Sequence, residues 1–137
     1  MRMRKMRNLE PRTEKCGDYR VTNAQEMKGR WREKMPGCKA LWVELGCGKG
    51  KFTAETAAAN PDVLLIAVER CREAMVVAME KAQAMGLTNV FFIDMDVANM
   101  ESVFAPGEID RLFLNFPFFC CELCRRCLHN YQSNTCM

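Results

Sequence analysis

"ALWVELGCGKGKFTAE", residues 40–55, runs from six mostly apolar residues through three glycines into an alanine-rich segment. The apolar run predicts a short buried strand at 40–45, and "KFTAETAAAN" at 51–60 predicts a helix stopped at Asn60-Pro61. Gly46, Gly48 and Gly50 therefore lie between a strand and a helix. A turn of that kind bends tightly and lets a ligand approach backbone that carries no Cβ, with the positive end of a helix behind it.

The same alternation continues downstream. "VLLIAV" (63–68) is continuously apolar, as a strand covered on both faces is. "CREAMVVAMEKAQAMG" (71–86) has apolar residues at 74, 75, 78, 79, 82 and 85, the spacing of an amphipathic helix, with Gly86 suited to the position past its end. "NVFFIDMD" (89–96) predicts a third strand, "VANMESVF" (97–104) a short helix, "APGE" a turn and "IDRLFLNF" (109–116) a fourth strand. Strands and helices in this order predict right-handed βαβ units on a parallel sheet, the α/β class. Upstream, "NAQEMKGRWREKM" predicts a short helix or turn that carries Trp31 among cations, broken by Pro36 and Gly37.

Glu69 closes the second strand, where a carboxylate accepts hydrogen bonds from the ribose hydroxyls of an adenosine. Glycine turn plus strand-end acid predicts an adenosine cofactor. The spacing is G-x-G-x-G, not the G-x-G-x-x-G of dinucleotide binding, and Glu44 stands two residues before Gly46. A carboxylate there repels a pyrophosphate and attracts the amino group and sulfonium of S-adenosylmethionine, so "ELGCGKG" favours that cofactor over NAD. Asp94 or Asp96, at the tip of the third strand, either contacts an adenine amino group or caps the next helix, and the residues leave both readings open. Lys49 and Lys51 read as solvated cations at a helix start.

The 137 residues have room for one domain, and their net charge of +3 is unevenly spread. Residues 1–35 hold eleven Lys/Arg against five Asp/Glu, and the remainder nine against twelve. A basic arm suits a phosphate-rich partner through counterion release, and a solvated leader is the other reading of the same charge. No apolar run approaches the roughly 18 to 20 residues of a membrane span, and no apolar segment follows the basic start as in a secretory signal. A cytoplasmic protein with no membrane partner is expected. Of the nine cysteines, Cys47 and Cys71 read as small buried residues, while five crowd the last 18 positions.

Over residues 1 to about 116 the chain resembles the bacterial tRNA (guanine-N7-)-methyltransferases. The resemblance lies in "MRMRK", "MKGRW" (27–31), "ELGCGKGKF", "NPDVLLIAVE" (60–69) and "FAPGEIDRLFLNF" (104–116). It implies a Rossmann-like class I methyltransferase sheet in strand order 3-2-1-4. It also implies methyl transfer from S-adenosylmethionine to N7 of a guanine in the tRNA variable loop. The family's cofactor-binding acids map onto Glu44, Glu69 and Asp96, beside the turn glycines Gly46, Gly48 and Gly50, and Arg2, Arg4, Lys5, Arg7, Lys28, Arg30 and Trp31 are the candidate tRNA contacts. Guanine N7 has an in-plane lone pair, so the chemistry requires positioning rather than a base or a cysteine nucleophile, and His129 is incidental.

The resemblance stops after "LNF". The family continues Ser-Asp-Pro-Trp-Pro-Lys, whereas this chain reads "PFFCCELCRRCLHNYQSNTCM", with Phe118 at the position of the family's catalytic Asp. Three segments are expected: a basic N-terminal arm (1–35), an incomplete cofactor-binding half-domain (36–116) whose C-terminal half is missing, and an aberrant cysteine-rich tail (117–137). A truncated or frameshifted end explains the tail. Its rival is a metal site at Cys121, Cys124 and Cys127 with His129 or Cys136. A fourth strand lacking its neighbours presents an edge for self-association. The competing functions are a non-catalytic RNA-binding module and an NAD-binding oxidoreductase fragment.

Overall fold

A computed structural model describes residues 6–115. Positions 1–5 and 116–137, and with them Arg2, Arg4, Lys5, Phe118 and the cysteine-rich tail, lie outside the described residues. Four strands form one parallel sheet: β1 (Ala40–Leu45), β2 (Val63–Glu69), β3 (Val90–Asp94) and β4 (Arg111–Leu114). Their order is β3-β2-β1-β4, as the family resemblance implies. β1 is the pivot, with Glu44 opposite Ala67 of β2 and Phe113 of β4.

Three helices lie on one face: α1 (Leu9–Lys15), α2 (Lys51–Ala59) and α3 (Arg72–Ala84). α3 ends as its sequence predicts. Gly86 takes φ +66°, its N–H donates to the Gln83 carbonyl at 3.0 Å, and that of Leu87 donates to Ala82 at 3.1 Å. These two bonds satisfy carbonyls that the last helical turn would otherwise leave open. At the start of β2, the buried Asn89 amide donates to the carbonyls of Ala57, Asn60 and Val63 at 2.9, 2.9 and 3.0 Å, joining the end of α2 to the strand.

Alternation of side chains divides the core. Leu41, Val43, Leu45, Leu64, Ile66, Val68, Ile93 and Leu112 face one way, while Leu65, Ala67, Val90 and Phe92 face α2 and α3. The first face is covered by Met100, Val103, Phe104 and Ile109 together with the segment that charge alone marks as a basic arm. Val21, Ala24, Met27 and Trp31 belong to the same buried cluster as β1 and β2, so the charge boundary at residue 35 is not a packing boundary. Two 3-10 turns, Ala24–Met27 and Trp31–Lys34, bring these residues down onto the sheet. The Val21 N–H donates to the Phe92 carbonyl at 2.9 Å, so the chain at residues 20 and 21 runs along the outer edge of β3.

α1 has no counterpart in the sequence prediction. Seven residues are too few to hold a helix in water, and tertiary contacts supply the difference. Arg12 makes a two-pronged ion pair with Glu80 of α3, the Nε–Oε2 arm at 2.9 Å, and Gln83 donates to the Lys15 carbonyl at 2.8 Å. The Arg12 guanidinium also draws the Glu80 carboxyl below its ordinary pKa.

Candidate functional site

The glycine turn sits at the carboxyl ends of the strands, where parallel α/β sheets bind ligands. Its two ends are fixed by backbone. The Gly46 and Cys47 N–H groups both donate to the Val68 carbonyl, at 2.8 and 3.2 Å, and Gly50 donates to Cys47 at 3.0 Å before α2 begins. Gly46, Gly48 and Gly50 have φ of +80°, +56° and +84°. The space above Gly48 is open: a Cβ there would meet nothing within 4 Å. No side chain caps the first turn of α2.

Two carboxylates flank this opening. Glu69 is half-buried; its Oε2 accepts from the Gly48 N–H at 2.7 Å, and its Oε1 accepts from Arg70 and Cys71 N–H groups at 3.0 Å each. Glu44 is 1% exposed, on the α2 side of β1. Its Oε1 accepts from the Thr53 hydroxyl and its Oε2 from the Asn115 amide at 2.6 Å. Burial raises the Glu44 pKa, the two hydrogen bonds oppose that rise, and the negative charge of Glu69 adds to it. Cys47 is buried between the two acids, and desolvation followed by the charges of Glu44 and Glu69 pushes its thiol up. That environment disfavours the thiolate that a nucleophilic role requires.

The structure thus brings Glu44, Gly46, Gly48, Gly50 and Glu69 to one turn. Asp96 stands apart in role: it is exposed, and its Oδ1 accepts from the Ala98 N–H at 3.0 Å, capping the 3-10 turn Val97–Ser102. Asp94 accepts from Arg20 at 2.9 Å and lies 3.5 Å from Arg72 Nε. Beside them a groove of about 740 Å³ opens between residues 21–26 and the tip of β3, lined by Asn23, Gln25, Glu26 and Asn99 among others and by no lysine or arginine.

Trp31 requires a correction. It was expected to meet nucleic acid, yet it is 0% exposed; its Nε1 donates to the Val103 carbonyl at 2.7 Å and its ring stacks on Phe104 at 5.3 Å. A buried indole offers no face to a base. The "MKGRW" element is instead tied inward, with the Gly29 N–H donating to Glu108 at 3.0 Å. Arg7, Lys28 and Arg30 are exposed. Thr53 and Asn115 went unpredicted. The signal for Thr53 was a polar residue in the first turn of an alanine-rich helix, on the side that faces the strand. Asn115 sits where the resemblance gives out.

An open glycine turn between two acids, at the switch of a 3-2-1-4 parallel sheet, defines an α/β cofactor-binding fold. The chain belongs to the methyltransferase family described as "Putative methyltransferase", whose model matches residues 39–118. It is similar to the tRNA (guanine-N(7)-)-methyltransferase of Lachnoclostridium phytofermentans, 33% identical over 72% of this chain and 46% of the relative. The enzyme of the same name from Clostridioides difficile is 40% identical over 66% of this chain and 42% of the relative. That from Clostridium tetani is 32% identical over 85% and 54%. The chain therefore spans about half the length of these relatives. Among solved structures, the antibiotic-resistance methyltransferase Kmr aligns with a TM-score of 0.57 at 28% identity, over 72% of this chain and 51% of Kmr. TrmN from Thermus thermophilus shares the fold, with a TM-score of 0.52 at 23% identity over 69% of this chain and 27% of TrmN.

Proposed function

We propose that this chain carries the cofactor-binding half of a tRNA (guanine-N7-)-methyltransferase, with S-adenosylmethionine as cofactor and tRNA as partner. The observation that carries the reading is the open space above Gly48, set between Glu69 and the uncapped start of α2. Glu69 suits the ribose hydroxyls, and Glu44 supplies negative charge for a cationic ligand. Asp96 would leave its capping bond to reach an adenine. When bound, the cofactor would supply an electrophilic methyl group, to which guanine N7 would donate its in-plane lone pair, so that no general base is needed.

Arg7, Lys28 and Arg30, together with Arg2, Arg4 and Lys5, are the cations proposed to hold tRNA phosphates. β4 is one of the two edge strands among the described residues, and its edge is proposed as a surface for self-association. No described helix is long and apolar enough to cross a membrane, and a cytoplasmic location suits a tRNA substrate.

Calorimetric titration with S-adenosylmethionine tests the reading, with NAD and Glu69→Ala as controls. Saturable binding that NAD does not reproduce and Glu69→Ala removes is the expected result. A methyl-transfer assay on unmodified tRNA, read as N7-methylguanosine by mass spectrometry, then measures whether the chain transfers methyl. Preference for NAD, or no binding by the folded chain, would overturn the cofactor assignment.

A further inference from the structure

We infer that Thr53 and Asn115 are positioning residues of the cofactor site, a pair of neutral donors that hold Glu44 as an aimed carboxylate. A buried acid is ordinarily matched by a cation or left protonated, because removing a charge from water is expensive. Glu44 is fully buried, and among the described residues no salt bridge reaches it. Both of its oxygens are nevertheless bonded, one by a hydroxyl and one by an amide. These donors satisfy the carboxylate without cancelling its charge.

The two donors come from different elements. Thr53 lies in the first turn of α2, whose positive end favours a nearby anion. Asn115 follows β4; its own N–H continues the pairing with β1 by donating to the Leu45 carbonyl at 3.1 Å, and its side chain turns back to Glu44. Glu44 is thus fixed in orientation by a helix on one side and a strand end on the other. The titratable groups bearing on it among the described residues are Glu69 and the Cys47 thiol, and neither is a cation. The charge is left for a ligand to match. Resting on the cofactor reading above, that ligand is cationic S-adenosylmethionine, and the clamp favours the ionised form of Glu44 against the burial that disfavours it.

The full chain, carbon-13 labelled at its glutamate carboxyls, tests this by NMR titration without ligand, with the Glu44 signal assigned through Glu44→Gln. Thr53→Val and Asn115→Ala are each expected to raise the Glu44 midpoint by about one pH unit, the shift of one lost hydrogen bond to a charge. Thr53→Ser is expected to restore it. The acid limb of S-adenosylmethionine binding should move by the same amount, which a purely structural role would not produce. An unmoved midpoint in folded variants overturns the proposal. Should Thr53→Val not fold, Asn115→Ala, at an exposed strand end, decides alone. Moved midpoints in a chain that binds no S-adenosylmethionine would sustain the clamp and overturn the cofactor reading.

Discussion

A Cβ at Gly50 would stand 2.5 Å from the Cβ of Ala78 and 2.8 Å from its Cα, so the last glycine of the turn packs its backbone directly against α3. Its φ of +84° adds backbone strain for any other residue. Gly50→Ala is expected to destabilise the chain by about 3 kcal/mol, from overpacking and left-handed strain together. Urea unfolding measures it; a midpoint within error of wild type would show that the helices part freely.

Gly48 is the opposite case. Nothing lies within 4 Å of its added Cβ, so Gly48→Ala meets only the strain of φ +56°, about 1 kcal/mol. The added methyl occupies the space proposed for the ligand, and S-adenosylmethionine affinity is expected to fall by about tenfold or more. Calorimetry on the folded variant checks this. Undiminished affinity would place the ligand elsewhere.

Glu44 ties stability to pH. Its folded pKa is raised, so between the ordinary carboxyl range and that higher value the folded chain binds a proton that the unfolded chain lacks. Its contribution therefore becomes more favourable as pH falls through the folded pKa, and the cost of the buried charge is fully present above it. Glu44→Gln removes that cost. The stability of the variant minus that of wild type is expected to shrink between pH 8 and about pH 4, while S-adenosylmethionine binding is lost at every pH. Thermal melts across that range decide the first half; a constant difference would mean that Glu44 does not titrate there.

Within "MKGRW" the tryptophan and its flanking cations are expected to separate cleanly. Trp31→Ala deletes a fully buried ring stacked on Phe104 and is expected to cost about 3–5 kcal/mol in stability. Lys28→Ala and Arg30→Ala remove exposed charges and should leave stability within about 0.5 kcal/mol. On the proposed function, each lowers tRNA affinity and reduces the slope of log affinity against log salt by about one. A slope that does not move would show that these cations touch no phosphate.

The βαβ core was legible because each of its elements announces itself locally. β1 spans the predicted 40–45, and β2 extends the predicted 63–68 only to include Glu69. α3 stops where Gly86 requires it to. The N-terminal third was not legible, because its short helix and 3-10 turns persist through contacts with residues 68 or more positions away, such as Arg12 with Glu80 and Trp31 with Val103. A signal was present nonetheless: Val21, Ala24, Met27 and Trp31 recur every three or four residues and fall on one buried side. Charge drew attention away from that stripe. In the site, Glu44, Glu69 and the glycines could be read from spacing, whereas Asn115 could not. Its bond to Glu44 spans 71 residues and depends on β4 lying against β1.

The family model's match opens at residue 39, yet part of the covering of Leu41, Val43 and Leu45 comes from Val21, Ala24, Met27 and Trp31. A chain pared down to the matched residues would keep Met100, Val103, Phe104 and Ile109 on that side of β1 and β2 but uncover the rest of it, and would strip Val21 from the outer carbonyl of Phe92. Kinship and autonomy therefore have different lengths in this molecule. What the family model matches is shorter than what must be present for the matched part to stand.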